Sequence, residues 1–494
     1  MLLRVLLFSL ASAAFIRAGT PVPLTIDPRH TLAPGADRKL GINVDYLMDN
    51  DRDWRPAAPR RTEDALREMG VRWLRFPGGE KSDSYLWSVP PFARPQPALA
   101  RTGPAEWPAG DRRFTLDDHA TYRIATLGFD DFVAMCRRLG AEPVCVVALD
   151  SCYKPATAAG RAPTKAELLA SAVAWVRYAN VARGYGVKYW EIGNEGFLAT
   201  QNGNPPSAAV YGRDIAEFAR AMKAVDPTIE IGANGDKESW WRDLLPAAGA
   251  DIDFLVAHDY PCWEWGRFER YRTWRESLTP ATDIALRAIR QFAAPGDRDR
   301  LRVAATEFNA ADWSRSNPWP NDNDLGHALV LTEMIGDYLA NPRVLAALLW
   351  NTRWIDQPHP AENTLWDALD ADNRLNASGL ALALWRHAAL DRMIAVSGRT
   401  DLVRAFAALS ADRHDLSLVV INKSEASVVI DVVLAPDSLP SPMKISSRRT
   451  LRGSTPADRR PILSLDPPSP SPDLGRIALP AHSATVLRLS GAAE

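Results

Sequence analysis

The chain has 494 residues, too many for one ordinary domain, and its 46% apolar and 24% charged content is that of a folded globular protein. A formal net charge of −2 leaves no cationic footprint for nucleic acid or for an anionic membrane, so neither is expected as a partner. Four cysteines (Cys136, Cys145, Cys152, Cys262) do not have the spacing of a zinc site.

Met1 to Thr20 reads as a signal peptide. Arg4 gives the positive end, Val5 to Ile16 the apolar run, and Ala11-Ser12-Ala13 or Ala18 the small residues for cleavage. A membrane anchor fits less well, because the run is shorter than the roughly 20 residues needed to span. The expectation is a secreted or periplasmic protein with no membrane contact after cleavage. Export permits disulfides. Cys136 and Cys145 fall in a helix-like and a strand-like run and read as buried thiols. Cys152 and Cys262 each follow an expected strand end, which leaves a bridge between their loops open.

Residues 21–39 hold one β-like run, Val22–Ile26. Apolar β runs and amphipathic helices then alternate through residues 40–390, the signature of an α/β domain. The expected strands are Leu40–Tyr46, Val71–Pro77, Glu142–Leu149, Val187–Glu195, Ile229–Ala233, Phe254–Tyr260, Arg302–Phe308 and Val344–Asn351. Helical runs between them include Thr62–Met69, Phe129–Leu139, Ala166–Tyr178, Gly212–Val225 and Gly326–Leu339. Eight strands alternating with helices suggest a closed (β/α)8 TIM barrel, with an open doubly wound sheet as the alternative. No glycine-rich phosphate loop follows any strand, so no nucleotide cofactor is expected, and no metal. Two long aromatic-rich loops, Ser82–Thr121 and Trp263–Trp274, either wall a cleft or are packed surface loops.

Residues 391–494 change to short β runs with turns: Leu402–Phe406, Leu416–Ile421, Ser427–Val433, Met443–Ser446, Gly475–Ala478 and Ser483–Leu489. They read as a C-terminal all-β sandwich domain, to which Val22–Ile26 adds a strand. Asn376-Ala377-Ser378 and Asn422-Lys423-Ser424 are glycosylation sequons.

Chemistry concentrates at expected strand ends, where a barrel places its active site. Strand four ends in Trp190-Glu191-Ile192-Gly193-Asn194-Glu195 and strand seven in Thr306-Glu307-Phe308-Asn309. Cleavage of a glycosidic bond with retention needs two carboxyl groups about 5–5.5 Å apart, one protonating the leaving oxygen and one attacking the anomeric carbon. Glu195 and Glu307 can supply them. Strict alternation sends Asn194 and Glu195 to opposite faces, so the strand must end or bulge there. Glu191 shares the parity of Glu195, points into the barrel and needs a cation, Arg75 or Lys188. Arg75, before Pro77-Gly78-Gly79, can keep a nucleophilic carboxylate ionised. A Tyr260 hydroxyl can donate to the same group. His258 is assigned to substrate binding, and Trp350 is either a sugar platform or core. Seventeen tryptophans hint mildly at stacking on sugars, although most buried indoles are core.

Together, Leu74–Gly79, Val187–Glu195, His258 with Tyr260, and Thr306–Asn309 with Trp313 resemble clan A glycoside hydrolases, most nearly family 51, the α-L-arabinofuranosidase group. Softer likenesses at Gly128–Gly140, Trp175–Tyr178, Phe218–Pro227 and Leu479–Ser483 extend it over nearly all of the mature chain. The resemblance implies a barrel with a β-sandwich and retaining hydrolysis of plant or algal polysaccharides or oligosaccharides. It implies Glu195 as acid/base, Glu307 as nucleophile, and Asn194 as holder of the hydroxyl next to the anomeric carbon. The chain departs from the family at three sugar-binding places. Gly41-Ile42-Asn43-Val44-Asp45 replaces a Gly-x-Phe-x-Glu pattern, Asp150 stands where an Asn is usual, and Trp350-Asn351 replaces a segment carrying a Gln. The mechanism therefore transfers better than the sugar. Other clan A activities (β-glucuronidase, β-xylosidase, β-galactosidase, endo-glycanase) stay open, as does a carbohydrate-binding homologue without turnover.

Overall fold

The computed structural model describes residues 20–51, 57–101, 115–116, 121–122, 125–155, 160–198, 205–262, 265–310, 323–353, 367–436, 438–439, 443–466 and 474–491. The expected leader up to residue 19, Trp263 and Trp313 lie outside them. No helix among the described residues is long and apolar enough to cross a membrane.

The first strand, β1 (Val22–Pro34), belongs to the C-terminal sheet and is taken up with it below. The barrel strands are β2 (Leu40–Asn43), β3 (Trp73–Phe76), β4 (Glu142–Val147), β5 (Tyr189–Ile192), β6 (Glu230–Asn234), β7 (Phe254–Asp259), β8 (Arg302–Phe308) and β9 (Val344–Leu349). They pair in chain order, all parallel, and β9 closes on β2. The closed barrel is the first of the two architectures left open by the sequence. Its helices include α1 (Thr62–Met69), α2 (Phe129–Leu139), α3 (Lys165–Val176), α4 (Ala208–Lys223), α5 (Glu238–Ala248), α6 (Pro280–Phe292), α7 (Leu325–Ala340) and α8 (Ala377–Arg386). Local chemistry sets their ends. Thr164 and Glu167 form a capping box at the start of α3. Asp130 and Asp131 sit in the first turn of α2, and Gly140, at φ 64°, stops it.

Inside the barrel, inward residues form an apolar plug at the N-terminal end and a polar layer above it. Trp73, Tyr189, Phe254, Val256, Ala304 and Leu348 belong to the plug. One pleat further on, at i+2, the inward positions become Arg75, Glu191, His258 and Thr306. Several ladders stop short of the expected strand ends, β5 at Ile192 and β2 at Asn43, because the chain there turns into the site.

Most aromatics in the described parts of the two long loops are buried, while Phe92 and Trp274 are half-buried. Tyr85–Leu86 pairs with Ala98–Leu99 in a small hairpin, and Trp87 is fully buried, its Nε1 donating to Ser171 O at 3.0 Å. Trp265 is also buried, stacked on Tyr271 at 6.0 Å. For these segments the packed-loop alternative holds.

Beyond α8 every described element is a strand: β10 (Arg392–Ser397), β11 (Val403–Leu409), β12 (Asp415–Asn422), β13 (Val428–Leu434), β14 (Met443–Arg452), β15 (Ile462–Leu465), β16 (Ile477–Leu479) and β17 (Ser483–Gly491). With β1 they form a nine-stranded sheet in the order β15-β14-β17-β12-β11-β10-β1-β13-β16. Residues from β1, β11, β12, β14, β16 and β17, such as Leu24, Ala405, Leu418, Met443, Leu479 and Leu487, share one core, so the sheet curls over itself as a sandwich. Alternate residues Phe406, Val419 and Val486 face the other way and join the barrel's core. β10 and β15 escape the sequence reading, and β14 runs on through Ser447-Arg448-Arg449 past a register shift after Ile445. A charged, partly exposed strand carries little hydrophobic signal.

All four cysteines are free thiols, so Cys152 and Cys262 form no bridge. Asn422 is buried, its Nδ2 donating to Ala426 O at 2.9 Å and Pro480 O at 2.7 Å, which leaves no room for a glycan on that sequon.

The seam between sheet and barrel hangs on Phe406. A Cβ added at Gly336 of α7 would lie 2.6 Å from its ring atoms, and Trp385 of α8 meets it edge-on at 5.9 Å. Phe406→Ala should lower stability by about 3–5 kcal/mol, read as a fall in the urea midpoint. An unchanged midpoint would show that the seam stands without this ring.

Candidate active site

Arg75 lies at the centre of the polar layer and is 0% exposed. Its Nε and Nη2 donate to Glu191 Oε2 and Oε1, each at 2.8 Å. Nη1 donates to Glu307 Oε1 at 2.8 Å and Asn43 Oδ1 at 2.9 Å, and Nη2 also reaches Asn194 Oδ1 at 2.7 Å. One guanidinium thus joins strands β2, β5 and β8 through β3. Glu191 takes its charge from Arg75, while Lys188 pairs with Glu230 at 2.9 Å. The Arg75 guanidinium stays protonated, since its two carboxylate partners outweigh the burial that opposes its charge.

Two breaks in strand regularity bring the carboxyl groups in. After β5, Gly193 takes φ 71° and Glu195 φ 53°, so the chain turns through the left-handed region and both Asn194 and Glu195 face the barrel mouth. Between β7 and β8 the register shifts after Ala257, so that His258 pairs with Glu307. This bulge lets the adjacent Thr306 and Glu307 both reach the site. Thr306 Oγ1 bonds His258 Nε2 at 3.1 Å, and Glu307 Oε2 accepts from Tyr260 O–H at 2.7 Å.

His258, assigned to binding from sequence, sits between the two carboxyl groups. Its Nδ1 bonds Glu195 Oε1 at 2.8 Å and lies 3.5 Å from Glu307 Oε2. Facing atoms of Glu195, His258 and Glu307 all fall within 4.8 Å of one another. Such a trio has the donor types of a metal site. Here, though, Arg75 and Tyr260 already occupy the Glu307 oxygens, and the adjacent guanidinium opposes a further cation. Trp350 is buried, its ring packed over Gly79, where an added Cβ would collide with it.

Burial pushes the Glu307 carboxyl above its usual range, with His258 and Arg75 pulling it back and Glu195 adding to the rise. Burial opposes the charge on His258, but Glu307 and the bond to Glu195 outweigh it, so the imidazole is more basic than usual. Burial, then Glu307, keeps the Tyr260 phenol protonated.

The chain is similar to known proteins in sequence and in fold. Residues 65–276 match the family model described as the α-L-arabinofuranosidase 1 domain. An intracellular exo-α-(1→5)-L-arabinofuranosidase of Streptomyces lividans is 26% identical over 270 residues, 48% of this chain and 36% of that protein. An exo-α-(1→6)-L-arabinofuranosidase of Bifidobacterium longum is 27% identical over 256 residues, 48% of this chain and 46% of that one. The chain thus spans less than half the length of these two curated relatives. In fold, the α-L-arabinofuranosidase of Thermotoga maritima in its arabinose complex superposes with a TM-score of 0.69 at 20% identity, covering 95% of this chain and 99% of that one. The family 51 arabinofuranosidase of Thermotoga petrophila gives 0.68, also at 20% identity, over 94% and 99%. This chain is similar to the clan A family 51 arabinofuranosidases, and it shares their barrel-and-sandwich fold.

Arg75→Met should cost about 3–5 kcal/mol, because it strands two buried carboxylates without their cation. Arg75→Met with Glu191→Leu should recover part of that loss in the same urea titration. If the double variant is no more stable than the single one, Glu191 does not depend on Arg75.

Proposed function

We propose that this chain is an exported retaining glycoside hydrolase of the arabinofuranosidase type, acting on plant or algal polysaccharides or oligosaccharides. One observation carries the reading: two carboxyl groups with facing oxygens within 4.8 Å have unlike partners. Such an approach is compatible with a retaining pair, whose carboxyl groups stand about 5–5.5 Å apart. Glu307, held by Arg75 and Tyr260 through separate oxygens, is the nucleophile. Glu195, more exposed and bonded to an imidazole, is the proton carrier. It protonates the leaving oxygen while Glu307 bonds to the anomeric carbon. It then takes a proton from the water that displaces Glu307. The Asn194 Nδ2 has no partner among the described residues and is left to donate to a sugar hydroxyl beside the reacting carbon. Export rests on the leader-like composition of Met1 to Thr20.

A second reading keeps the chemistry and changes the sugar. The acidic groups at two of the departing positions are committed to the protein. Asp45 Oδ1 accepts from Leu47 N–H at 3.0 Å, and its Oδ2 faces Lys81 at 3.6 Å. Asp150 Oδ2 accepts from Asn194 N–H at 2.7 Å. A screen of aryl arabinofuranosides, xylosides, galactosides and glucuronides separates the readings. Binding without turnover across the panel would reject both in favour of a carbohydrate-binding protein.

The roles separate by chemical rescue. Glu195→Ala should still form the glycosyl-enzyme from a dinitrophenyl glycoside, whose leaving group needs no proton, and then stall. Azide should accelerate its turnover and give a glycosyl azide of retained configuration. Glu307→Ala should be nearly inactive, with any azide product inverted. The opposite pair of anomers by NMR would exchange the two roles.

Activity should also show an acid limb. Glu307 must be ionised to attack, and burial raises its pKa, so kcat/KM should begin to fall at a pH above the ordinary Glu value of about 4.3. A limb at or below that value would contradict the assignment of Glu307.

A further inference from the structure

The turn carrying Asn194 and Glu195 rests on two buried carboxyl groups that the reaction above does not use. Asp150 opens the short helical turn Asp150–Cys152 after β4 and is 0% exposed, and Asp83 closes the turn Glu80–Asp83 after β3 at 8%. Asp150 Oδ2 accepts the Asn194 N–H at 2.7 Å. The glycines on either side of Asn194-Glu195 close the other contacts. A Cβ at Gly193 would lie 2.6 Å from Asp150 Oδ2, and one at Gly196 would lie 2.5 Å from Asp150 Oδ1. The Asp150 carboxyl therefore fills the hollow of the turn.

Asp150 Oδ1 and Asp83 Oδ1 are buried and receive no N–H or hydroxyl hydrogen bond. Their turns are joined where the Ser151 hydroxyl donates to the Asp83 carbonyl, which sets the two carboxyls side by side. Two buried carboxyls side by side, each with an unmet oxygen, cannot both carry charge, so one of them holds a proton. Neither aspartate forms an ion pair among the described residues. Arg75 is committed to Glu191 and Glu307, Lys81 faces Asp45, and Arg101 donates to the carbonyls of Ser151, Lys154 and Pro155. The charged neighbours acting on the pair, Glu80 and Glu191, are acidic. Around Asp150, the Tyr211 hydroxyl donates to Ile192 O at 3.2 Å, and Tyr153 and Cys152 stay protonated at its side.

We propose that Asp83 and Asp150 share one proton and together form a positioning device for the acid/base turn, holding Asn194-Glu195-Gly196 while singly charged and releasing it when the second charge appears. The inference rests on the reading of Glu195 as acid/base. Burial first, and then Asp150, push Asp83 well above the usual carboxylate range, which makes Asp83 the proton holder. Opening the pair leaves two like charges in a dry site, directly under the turn whose hollow Asp150 fills.

The sign of the linkage is fixed. A carboxyl whose pKa is raised by folding contributes stability below its unfolded value of about 3.9, and that contribution is lost as the pH rises through the folded value. Asp83→Asn keeps an N–H donor toward Asp150 and cannot ionise. It should remove this loss, so that unfolding free energy stays flat over the pH range where the wild type declines. Amide exchange at Asn194, compared between wild type and variant at each pH, should speed up in the wild type alone over that range. For a glycoside with a poor leaving group, the alkaline limb of kcat should move to higher pH in the variant while KM is unchanged. Asp150→Asn, which still offers Asn194 an acceptor, should give the same three results and serves if the first variant does not fold.

Identical unfolding profiles for wild type and both variants would overturn the shared proton. A changed unfolding profile with unchanged Asn194 exchange and alkaline limb would overturn the positioning role. Inert wild-type protein across all glycosides would refute the enzyme reading, and Asn194 exchange alone would then decide whether the pair holds the turn.

Discussion

The site depends on one buried cation. Arg75 satisfies two carboxylates and two amides in a region from which water is excluded, and none of the five groups is tolerable there alone. A planar fork with five donors can meet five acceptor oxygens at fixed angles, whereas a lysine ammonium cannot. The same guanidinium ties β2, β5 and β8 to β3. Glu307 is thereby held by packed strands, while Glu195 stands on the turn that follows β5.

Around that cation the barrel spends regularity where chemistry needs it. The lower interior obeys strict alternation and is filled with apolar side chains. At the mouth, a left-handed turn after β5 and a register shift in β8 each place two neighbouring residues on one side. Both departures deliver a reacting carboxyl group together with the polar neighbour that orients the rest of the site, Asn194 in one case and Thr306 in the other.

Much of this was legible in the sequence, for physical reasons. Parallel strands buried on both faces read as continuous apolar runs, so all eight were visible from Leu40 to Asn351. Parity alone put Glu191 inside and left Arg75 or Lys188 to pair it, and the structure supplies Arg75. Composition could not show which aromatics face a cleft. Trp87 and Trp265 look like cleft walls in sequence and are core in space. His258 was read as a binding residue because nothing local reveals that a strand shift will set it between two glutamates. Asp83 gave no signal, since it lies on a short turn whose only periodicity is that of a loop. The β10 and β15 strands were missed where Arg392 and the partly exposed Ile462–Leu465 blurred alternation.

Strand β1 carries a consequence for how the molecule comes into being. It lies inside the nine-stranded sheet, antiparallel to β10 and parallel to β13, and β13 with β16 joins the rest of the sheet through β1 alone. A chain emerging from the ribosome displays this segment first and its partners last, with the whole barrel between them. Until then Leu24 and Ile26 have no core, and the segment is an open edge able to pair with any strand nearby. The sandwich is therefore completed by a long-range docking of segments made before and after the barrel, and the barrel can finish folding before they meet.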